Sequence, residues 1–397
     1  MSEPAPSLPA GFQFSGVACG IKASGKKDVS LIVSERDVVG AGVFTKNQIV
    51  AAPVLLCKAR TPSETIRAVV TNSGNANACT GQSGMDDAVT MCQQVAAKVG
   101  CDESQVLVMS TGVIGQPLPM DKIAVGIEQA HDQLSNDHES FLSAADAILT
   151  TDNARKMVQR TVVCGGKSYE IAAMAKGAGM ISPNMATMLA VVLTDAPLES
   201  TQCQTMLAKA ADLSFNRVSV DGHTSTNDTL LLLSSGQGEP LSGEPLQDFV
   251  DQLNDLCIEL AKKLVADGEG ATHVMQVHVH GAADDSAAEL IARTVAASPL
   301  VKTAITGGDP NWGRIVSAAG YAEAKIDPTK TTLKICGQAI YLEGVPQSFD
   351  AAALSKKMKA NVDVEIDLQV GLQSGKATFW SSDLTTEYVT FNSEYTT

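Results

Sequence analysis

The most informative stretch of this chain is KGAGMISPNMATMLAVVLTDA, from Lys176 to Ala196. Its first part is rich in glycine, and its last part is an apolar run typical of a buried strand. The Ala186–Thr187 bond lies between them, flanked by small and apolar residues. A threonine at the start of a strand is ordinarily structural, because its hydroxyl often satisfies backbone groups there. The residues around Thr187 favour a second interpretation, in which this threonine cuts the bond before it.

Such a cut needs little more than the threonine itself. The hydroxyl attacks the preceding carbonyl, the amide becomes an ester, and water completes the cleavage. Gly177 and Gly179 admit unusual backbone angles and Pro183 restricts the approach, so we expect strain at Ala186–Thr187. The freed Thr187 then has a hydroxyl as nucleophile and an α-amine as base, since the reference pKa of that amine is about 7.7 to 8.0.

A polar turn follows a compact apolar strand elsewhere in the chain. The strand QVLVM, at 105–109, runs directly into Ser110-Thr111-Gly112, which places the turn at a strand end, where sites are often built. Thr111 and Gly112 are therefore candidate site residues. The alternative is a polar turn without a function.

Composition limits the class of protein. A chain of 397 residues with 44% hydrophobic and 18% charged residues is typical of a globular enzyme with one or two domains. The net charge of -15 argues against nucleic acid or an anionic membrane as partner. The nine cysteines contain no C-x-x-C pair and fit reduced thiols. Without a secretory signal or a long apolar run, we expect a cytoplasmic protein.

The apolar periodicity predicts alternating strands and helices, and therefore an α/β layered fold. The predicted strands are VSLIVSER, AGVFTKN, 105–109, TMLAVVLTDA and the alternating 274–280, with a hairpin over 161–175 about Gly165-Gly166. The predicted helices are 85–99, 119–134, 139–149, 200–213 and 246–265.

Two further patterns carry less chemistry. His278 and His280 share one face of a predicted strand, but no carboxylate or cysteine accompanies them at ligand spacing, so we expect no metal there. The stretch GGDPNWGR, at 307–314, matches neither a P-loop nor a dinucleotide fingerprint. It shapes a site loop or packs Trp312, and the sequence leaves both interpretations open.

Six blocks, in order along nearly the whole chain, resemble the ornithine acetyltransferase family, also called glutamate N-acetyltransferase. One is the stretch around Ala186–Thr187, and the others are NSGNANACTG (72–81), STGVIG (110–115), DGHTSTNDT (221–229), ADGEGATH (266–273) and GGDPNWGR. One departure is His223, where the family more often carries Asp, which leaves the role of this residue open.

The resemblance implies self-cleavage between Ala186 and Thr187 into chains of residues 1–186 and 187–397. The first chain would carry the oxyanion hole and a substrate lysine, and the second would begin with the nucleophile. Both would form one core, an α–β–β–α-type sandwich that is N-terminal-nucleophile-like. Two copies of each chain are expected in the assembly.

The resemblance also implies an activity. Thr187 takes acetyl from N2-acetyl-L-ornithine and passes it to L-glutamate by a ping-pong mechanism in arginine biosynthesis. No cofactor is expected, and acetyl-CoA stays open as a second acetyl donor. A related self-processing aminopeptidase is the nearest alternative. A catalytically silent binding protein is disfavoured by the presence of Thr111, Lys176 and Thr187.

Site residues follow from the same resemblance. The Thr111 hydroxyl and the Gly112 N–H would form the oxyanion hole. Lys176 would bind the substrate carboxylate, and Glu269 would bind the distal ammonium or move a proton. Lys176 and Glu269 have solvated surface charges as their alternative. The remaining expected substrate residues are Thr150, Asn392 and Thr397.

Overall fold

Strands and helices alternate along the computed structural model, which describes residues 7–182 and 188–394. The strands in these residues are β1 (Phe12–Val17), β2 (Val29–Phe44), β3 (Ser63–Asn75), β4 (Val106–Val113), β5 (Lys156–Cys164), β6 (Lys167–Lys176), β7 (Leu189–Thr194), β8 (Val218–Ser219), β9 (Thr229–Ser234), β10 (Val274–Ala282), β11 (Thr332–Ile335), β12 (Gln338–Leu342), β13 (Val345–Pro346), β14 (Asp363–Gln369) and β15 (Gly375–Ser382). The helices are α1 (Ala52–Arg60), α2 (Gly81–Val99), α3 (Met120–Asp132), α4 (His138–Ala147), α5 (Ser200–Leu213), α6 (Gly243–Ala266), α7 (Asp285–Ala297), α8 (Pro299–Gly307), α9 (Trp312–Gly320), α10 (Ala351–Ala360) and α11 (Thr386–Glu394). The predicted α/β class is confirmed.

The predicted elements agree with these bounds to within a few residues, except at β2. Helix α5 has the predicted bounds, and the predicted hairpin is β5–β6 with its turn at Gly165-Gly166. In place of two short strands, β2 is one strand of 16 residues. Its residues 35–37 are exposed, and its register against β3 shifts between Val33 and Val38. The polar residues at this irregularity interrupt the apolar pattern, which is why the sequence predicted two strands.

The first sheet combines strands from both sides of residues 183–187. Its order is β4–β3–β2–β9–β7–β6–β5, with β1 paired to β2. Strand β7 pairs antiparallel with β6, where Lys176 lies opposite Leu189, and parallel with β9. Every residue of β7 is buried, as expected for a central strand covered on both faces. The predicted buried strand after Thr187 is therefore confirmed.

Helices cover both faces of the first sheet. On one face, α2, α3 and α4 bury Met91, Ile127 and Phe141. On the other face, α5 and α6 pack through residues such as Phe249 and Leu260. Helix α6 also contacts β8, β10 and β15 of the second sheet. It therefore lies between the two sheets, which corrects the expected α–β–β–α order of layers, because the long apolar stripe of α6 fills that space.

The second sheet has the order β13–β12–β11–β14–β10–β15–β8. Helix α7 packs on β10 and β15, and the β10 residues Met275, Val277 and Val279 are buried in this core. Between them, Gln276 and His278 on the other face are only half-buried. This alternation confirms the predicted half-buried strand.

The stretch GGDPNWGR joins α8 to α9. Gly308 ends α8 with a φ of +61°, and the Asn311 side chain accepts a hydrogen bond from the Arg314 amide at 3.1 Å. Trp312 stacks on Tyr341 with ring centroids 5.3 Å apart. These contacts support the packing interpretation of the stretch.

Three properties of the described part of the chain concern its thiols, its helices and its possible metal ligands. All nine cysteines fall within it and are free thiols. Its helices include none whose length and apolarity suit a bilayer span. Residues 7–182 and 188–394 also contain no group of three or more His, Cys, Asp or Glu side chains that would hold a metal ion.

Candidate active site

One cavity brings together most of the predicted site residues. Strands β4 and β6 end at its rim, so that Thr111, Gly112 and Lys176 line the same cavity. Loops and α11 form the other walls. The lining includes Thr111, Gly112, Thr150, Lys176, Gly179 and Met180 from the chain before residues 183–187, and Asp221, His223, Asn227, Glu269, Tyr388 and Asn392 from the chain after them.

Three predicted site residues lie outside the described residues. They are Ala186 and Thr187, at the expected cleavage bond, and Thr397 at the end of the sequence. The roles expected for them stay predictions. The flanking residues Ser182 and Met188 are described, and so are the cavity residues from the chain before and after residues 183–187.

Thr111 and Gly112 lie within β4 and not in the turn that was expected after residue 109, and Gly112 occupies a position that only glycine suits. Gly112 has a φ of +133°, and an added Cβ would lie 2.3 Å from the carbonyl carbon of Gly74, so glycine is required. The Lys176 Nζ donates to the Thr111 Oγ1 at 3.3 Å. Because this oxygen accepts, the threonine hydroxyl retains its own hydrogen for a further partner. The Thr111 hydroxyl is therefore available as a hydrogen-bond donor at the cavity wall.

Lys176 is a buried cation whose charged form is favoured by Asp152. Burial lowers the pKa of Lys176, and the Asp152 carboxylate opposes this shift. Burial by itself would raise the pKa of Asp152, but the ammonium groups of Lys176 and Lys156 lower it to about 2. Asp152 also accepts hydrogen bonds from the Gly177 amide at 2.6 Å and the Thr150 amide at 2.9 Å. It thus fixes the backbone on which Thr150 and Lys176 stand.

Glu269 supplies the acidic side of the cavity. The Asn392 Nδ2 donates to the Glu269 Oε2 at 2.9 Å, and the Glu269 amide donates to the Ala178 carbonyl at 2.9 Å. The carboxylate lies so close to Gly179 that a Cβ there would be 2.4 Å from Oε2. The loop after β6, Glu269 and α11 are therefore held together at this wall.

Asp221 and Tyr388, which sequence reasoning missed, hold the loop that precedes residues 183–187. Asp221 accepts hydrogen bonds from the Met180 amide at 2.6 Å, the Ile181 amide at 3.0 Å and the Tyr388 hydroxyl at 3.3 Å. Burial raises the pKa of Tyr388, and Asp221 adds to this shift. Asp221 lies in the DGHTSTNDT block, which was a signal, whereas nothing in the sequence pointed to Tyr388.

The same block contributes further cavity residues, among them Asn227 and His223. The Asn227 Nδ2 donates to the Ala76 carbonyl at 2.6 Å and the Ser110 carbonyl at 2.9 Å, which joins the start of β9 to the ends of β3 and β4. His223, whose role the sequence left open, is exposed and lines the cavity.

Comparison with known proteins identifies the family. The family model described as "ArgJ family" matches residues 13–397. The chain belongs to the ArgJ family. The arginine biosynthesis bifunctional protein ArgJ of Rhodopirellula baltica is 58% identical over 395 residues, which cover 98% of this chain and 96% of that protein. The protein of the same name from Geobacter sulfurreducens is 45% identical over 393 residues, with coverages of 98% and 99%.

A solved structure is similar to part of the chain. The arginine biosynthesis bifunctional protein ArgJ of Bacillus halodurans is 34% identical with a TM-score of 0.50, and the match covers 52% of this chain and 98% of that one. Family membership confirms the predicted resemblance. It also confirms the predicted enzyme class, an acetyltransferase of arginine biosynthesis with the ornithine acetyltransferase and glutamate N-acetyltransferase role.

Proposed function

We propose that this enzyme transfers acetyl from N2-acetyl-L-ornithine to L-glutamate through an acetyl ester on Thr187. Self-cleavage between Ala186 and Thr187 exposes the nucleophile. The main support is the convergence of six predicted site residues on one cavity. There the cation Lys176 and the anion Glu269 match the carboxylate and the distal ammonium of acetylornithine.

Maturation gives fragments of 186 and 211 residues (397 minus 186), as an N-terminal-nucleophile-like enzyme requires. The proposal includes two copies of each fragment, a cytoplasmic location and no cofactor, all on the family resemblance.

Cleavage and turnover use the same nucleophile. In cleavage, the Thr187 hydroxyl adds to the Ala186 carbonyl, the C–N bond breaks, and water hydrolyses the resulting ester. In turnover, the hydroxyl attacks the acetyl carbonyl of acetylornithine, while the Thr187 α-amine takes the hydroxyl proton and gives it to the departing ornithine nitrogen. The amine of glutamate then attacks the acetyl ester, which yields N-acetylglutamate and restores the hydroxyl.

The cavity residues stabilise and orient these species. The Thr111 hydroxyl and the Gly112 N–H bind the oxyanion, and removing one such donor typically costs about 2.7 to 4 kcal/mol of transition-state stabilisation. Glu269 also serves as a proton carrier in the proposal. Thr150 and Asn392 contact the substrate from the cavity wall, and Thr397 completes this set.

A second activity is part of the proposal. The relative that is 58% identical is named a bifunctional protein. Acetyl-CoA would present the same acetyl carbonyl to Thr187 and release its thiol, so glutamate acetylation needs no further site for chemistry. An assay with glutamate and acetyl-CoA, without acetylornithine, tests this activity.

Intact-mass analysis during turnover tests the main proposal. Active wild-type protein should consist of the two fragments, and incubation with N-acetylornithine should add one acetyl mass to the 211-residue fragment, which glutamate then removes. Thr187→Ala should remain full-length and unacetylated, whereas Thr187→Ser should retain part of both reactions. A full-length chain in active protein would overturn the proposal. Peptide hydrolysis without transfer to glutamate would instead indicate the related aminopeptidase.

A further inference from the structure

Lys156 is a buried lysine to which the proposed turnover gives no part. It begins β5, and its side chain is almost fully enclosed. Its Nζ donates to two carboxylates, Asp152 from the proposed first fragment and Asp267 from the second. A buried ammonium is tolerated when it is paired and hydrogen-bonded, and these two bonds hold the three side chains against one another.

The Asp152 carboxylate connects Lys156 to the cation of the cavity. It accepts hydrogen bonds from the Gly177 amide at 2.6 Å and from the Thr150 amide at 2.9 Å. Lys176 directly precedes Gly177, and both Lys176 and Thr150 line the cavity. The position of Asp152 therefore determines where the backbone of these two cavity residues lies.

The Asp267 carboxylate connects the same ammonium group to the anion of the cavity. It accepts hydrogen bonds from the Asn153 amide at 3.0 Å and from the Ala154 amide at 3.3 Å. Glu269 follows two residues later, and its own amide donates to the Ala178 carbonyl at 2.9 Å. Two attachments therefore fix the segment that carries the anion, one at Asp267 and one at Glu269.

The linked side chains form a series of alternating charge that runs from Asp267 through Lys156 to Asp152. Burial lowers the pKa of Lys176, and the negative charge of Asp152 opposes this shift, so Lys176 extends the series. The Lys156 and Asp152 side chains are 1% and 0% exposed, and water and salt therefore screen their attraction little. The series acts as a spacer between the segments that carry Lys176 and Glu269.

A fixed spacing matters for a substrate with a charge at each end. In the proposed function, the α-carboxylate of the donor contacts Lys176 and its distal ammonium contacts Glu269. Diamino acids that are one methylene shorter or longer than ornithine have the same two groups at a different separation. When the two protein groups are held in place, such a homologue leaves one of the charges poorly paired, which is costly in an enclosed site.

We propose that Lys156 is a positioning residue that fixes the separation of Lys176 and Glu269 and thereby selects a diamino acid of the length of ornithine. The inference rests on the proposed function. A role in stability alone makes a different prediction, because it changes the amount of folded enzyme and leaves the ratio of rates for different substrates unaltered. The substrate ratio therefore separates the two roles.

The test compares kcat/KM for acetyl transfer to glutamate from N2-acetylornithine, N2-acetyllysine and N2-acetyl-2,4-diaminobutyrate. Wild type should prefer acetylornithine at least about tenfold over each of the other two donors, which is the lower range for one methylene. Absence of this preference in wild type would contradict the inference.

Asp267→Ala is the main variant, because it releases the Glu269 segment yet leaves the buried Lys156–Asp152 pair intact and should therefore fold. It should lower the preference at least about fivefold, since one methylene is worth about 10- to 200-fold. Lys156→Met removes both bonds and should lower the preference at least as much. If Lys156→Met does not fold, Asp267→Ala alone decides, and an unchanged preference in Asp267→Ala would overturn the proposal.

A neighbouring ion pair supplies matched controls. The Arg155 Nη2 donates to the Asp146 Oδ2 at 2.8 Å, in a pair that is more exposed than that of Lys156. Arg155→Met and Asp146→Ala break this pair and should retain the wild-type preference. A wild type without acetyl transfer from acetylornithine contradicts the proposed function as well, whereas an active wild type with an unchanged preference in Asp267→Ala contradicts the positioning role alone.

Discussion

Lys176 is a residue for which burial and function are opposed. A buried ammonium is costly, and its carboxylate neighbour offsets that cost; removing one partner of such a pair typically costs about 3 to 5 kcal/mol. Asp152 is this carboxylate neighbour, and it also accepts a hydrogen bond from the Gly177 amide. In the proposed function, the substrate carboxylate therefore meets a cation that is fixed in place, although burial makes Lys176 lose its proton at a lower pH than an exposed lysine does.

The lowered pKa of Lys176 predicts a pH effect on substrate binding. Since burial lowers this pKa, Lys176 loses its proton at a lower pH than an exposed lysine, whose reference value is about 10.4. The KM for N-acetylornithine should therefore rise in alkaline solution earlier than an ordinary lysine would produce, with a smaller change in kcat. The measurement is a profile of KM and kcat from about pH 7 to about pH 10.

Arginine substitution separates the effect of Lys176 on the pH dependence of KM from the effect of the substrate's own amine. Lys176→Arg stays charged throughout this pH range, so it should remove the early rise in KM, with a higher KM at neutral pH from the larger side chain. Lys98→Arg, on the exposed face of α2, should leave the profile unchanged. An early rise that persists in Lys176→Arg would assign the titration to another group.

At the scale of elements, local patterns predicted the strands and helices well. Helix α5 has a capping box in which Glu199 and Gln202 satisfy each other's backbone amides, and its predicted bounds are those observed. The position of a helix relative to the sheets was not predictable in this way. The apolar residues of a helix such as α6 do not specify which two surfaces the helix packs against. The sandwich order was wrong for that reason.

The same distinction applies to the site. Thr111, Gly112 and Lys176 stand at the ends of strands, within short recognisable motifs. Tyr388 lies 167 residues from its partner Asp221, in a helix without a buried residue. Its role depends on contacts that only the folded chain creates, and single-sequence patterns contain no record of them.

Helix α11 contributes to the site without contributing to the core. Thr385, just before it, donates to the Gly270 carbonyl at 2.7 Å, and a Cβ on Gly270 would lie 2.5 Å from the Tyr388 amide. These close contacts place the helix at the cavity, where Asn392 reaches Glu269. Changes on its inner face should therefore alter substrate binding much more than stability.

Asn392→Ala tests this separation. In the proposed function Asn392 contacts the substrate, and because a hydrogen bond to a charged group is worth about 1.5 to 3 kcal/mol, KM for N-acetylornithine should rise at least about tenfold. The melting temperature should change little, because the side chain is exposed. Steady-state kinetics and thermal unfolding measure the two effects.

Asn361→Ala is the control. It removes an exposed asparagine that donates a hydrogen bond to the Lys357 carbonyl at 2.7 Å, away from the cavity, and should leave KM unchanged. Equal KM values for both variants would remove Asn392 from the site.

At the scale of the whole molecule, the first sheet is built from both proposed fragments. Strands β7 and β9, from the second fragment, lie between β6 and β2 of the first. The antiparallel β6–β7 pair runs from Ile171–Thr194 to Lys176–Leu189, and β2 pairs with β9 over residues 39–44. Helices α5 and α6 add apolar contacts across the same boundary. None of these interactions needs an intact bond between residues 186 and 187.

Cleavage should therefore leave one particle that unfolds in one transition. Wild-type protein and uncleaved Thr187→Ala should melt within a few degrees of each other, because about 1 kcal/mol shifts the melting temperature by about 2 to 4 °C for about 150 to 250 residues and by less for a longer chain. Size-exclusion chromatography should recover the 186- and 211-residue fragments together, and calorimetry should give the melting temperatures. As a control, fragments separated in denaturant should aggregate on its removal, since the sheet is divided and the edges of β6 and β7 are left unpaired. If the fragments separate in native buffer, or melt as two independent units, the shared sheet does not hold them together. The active enzyme then does not use a cavity that is formed by both fragments.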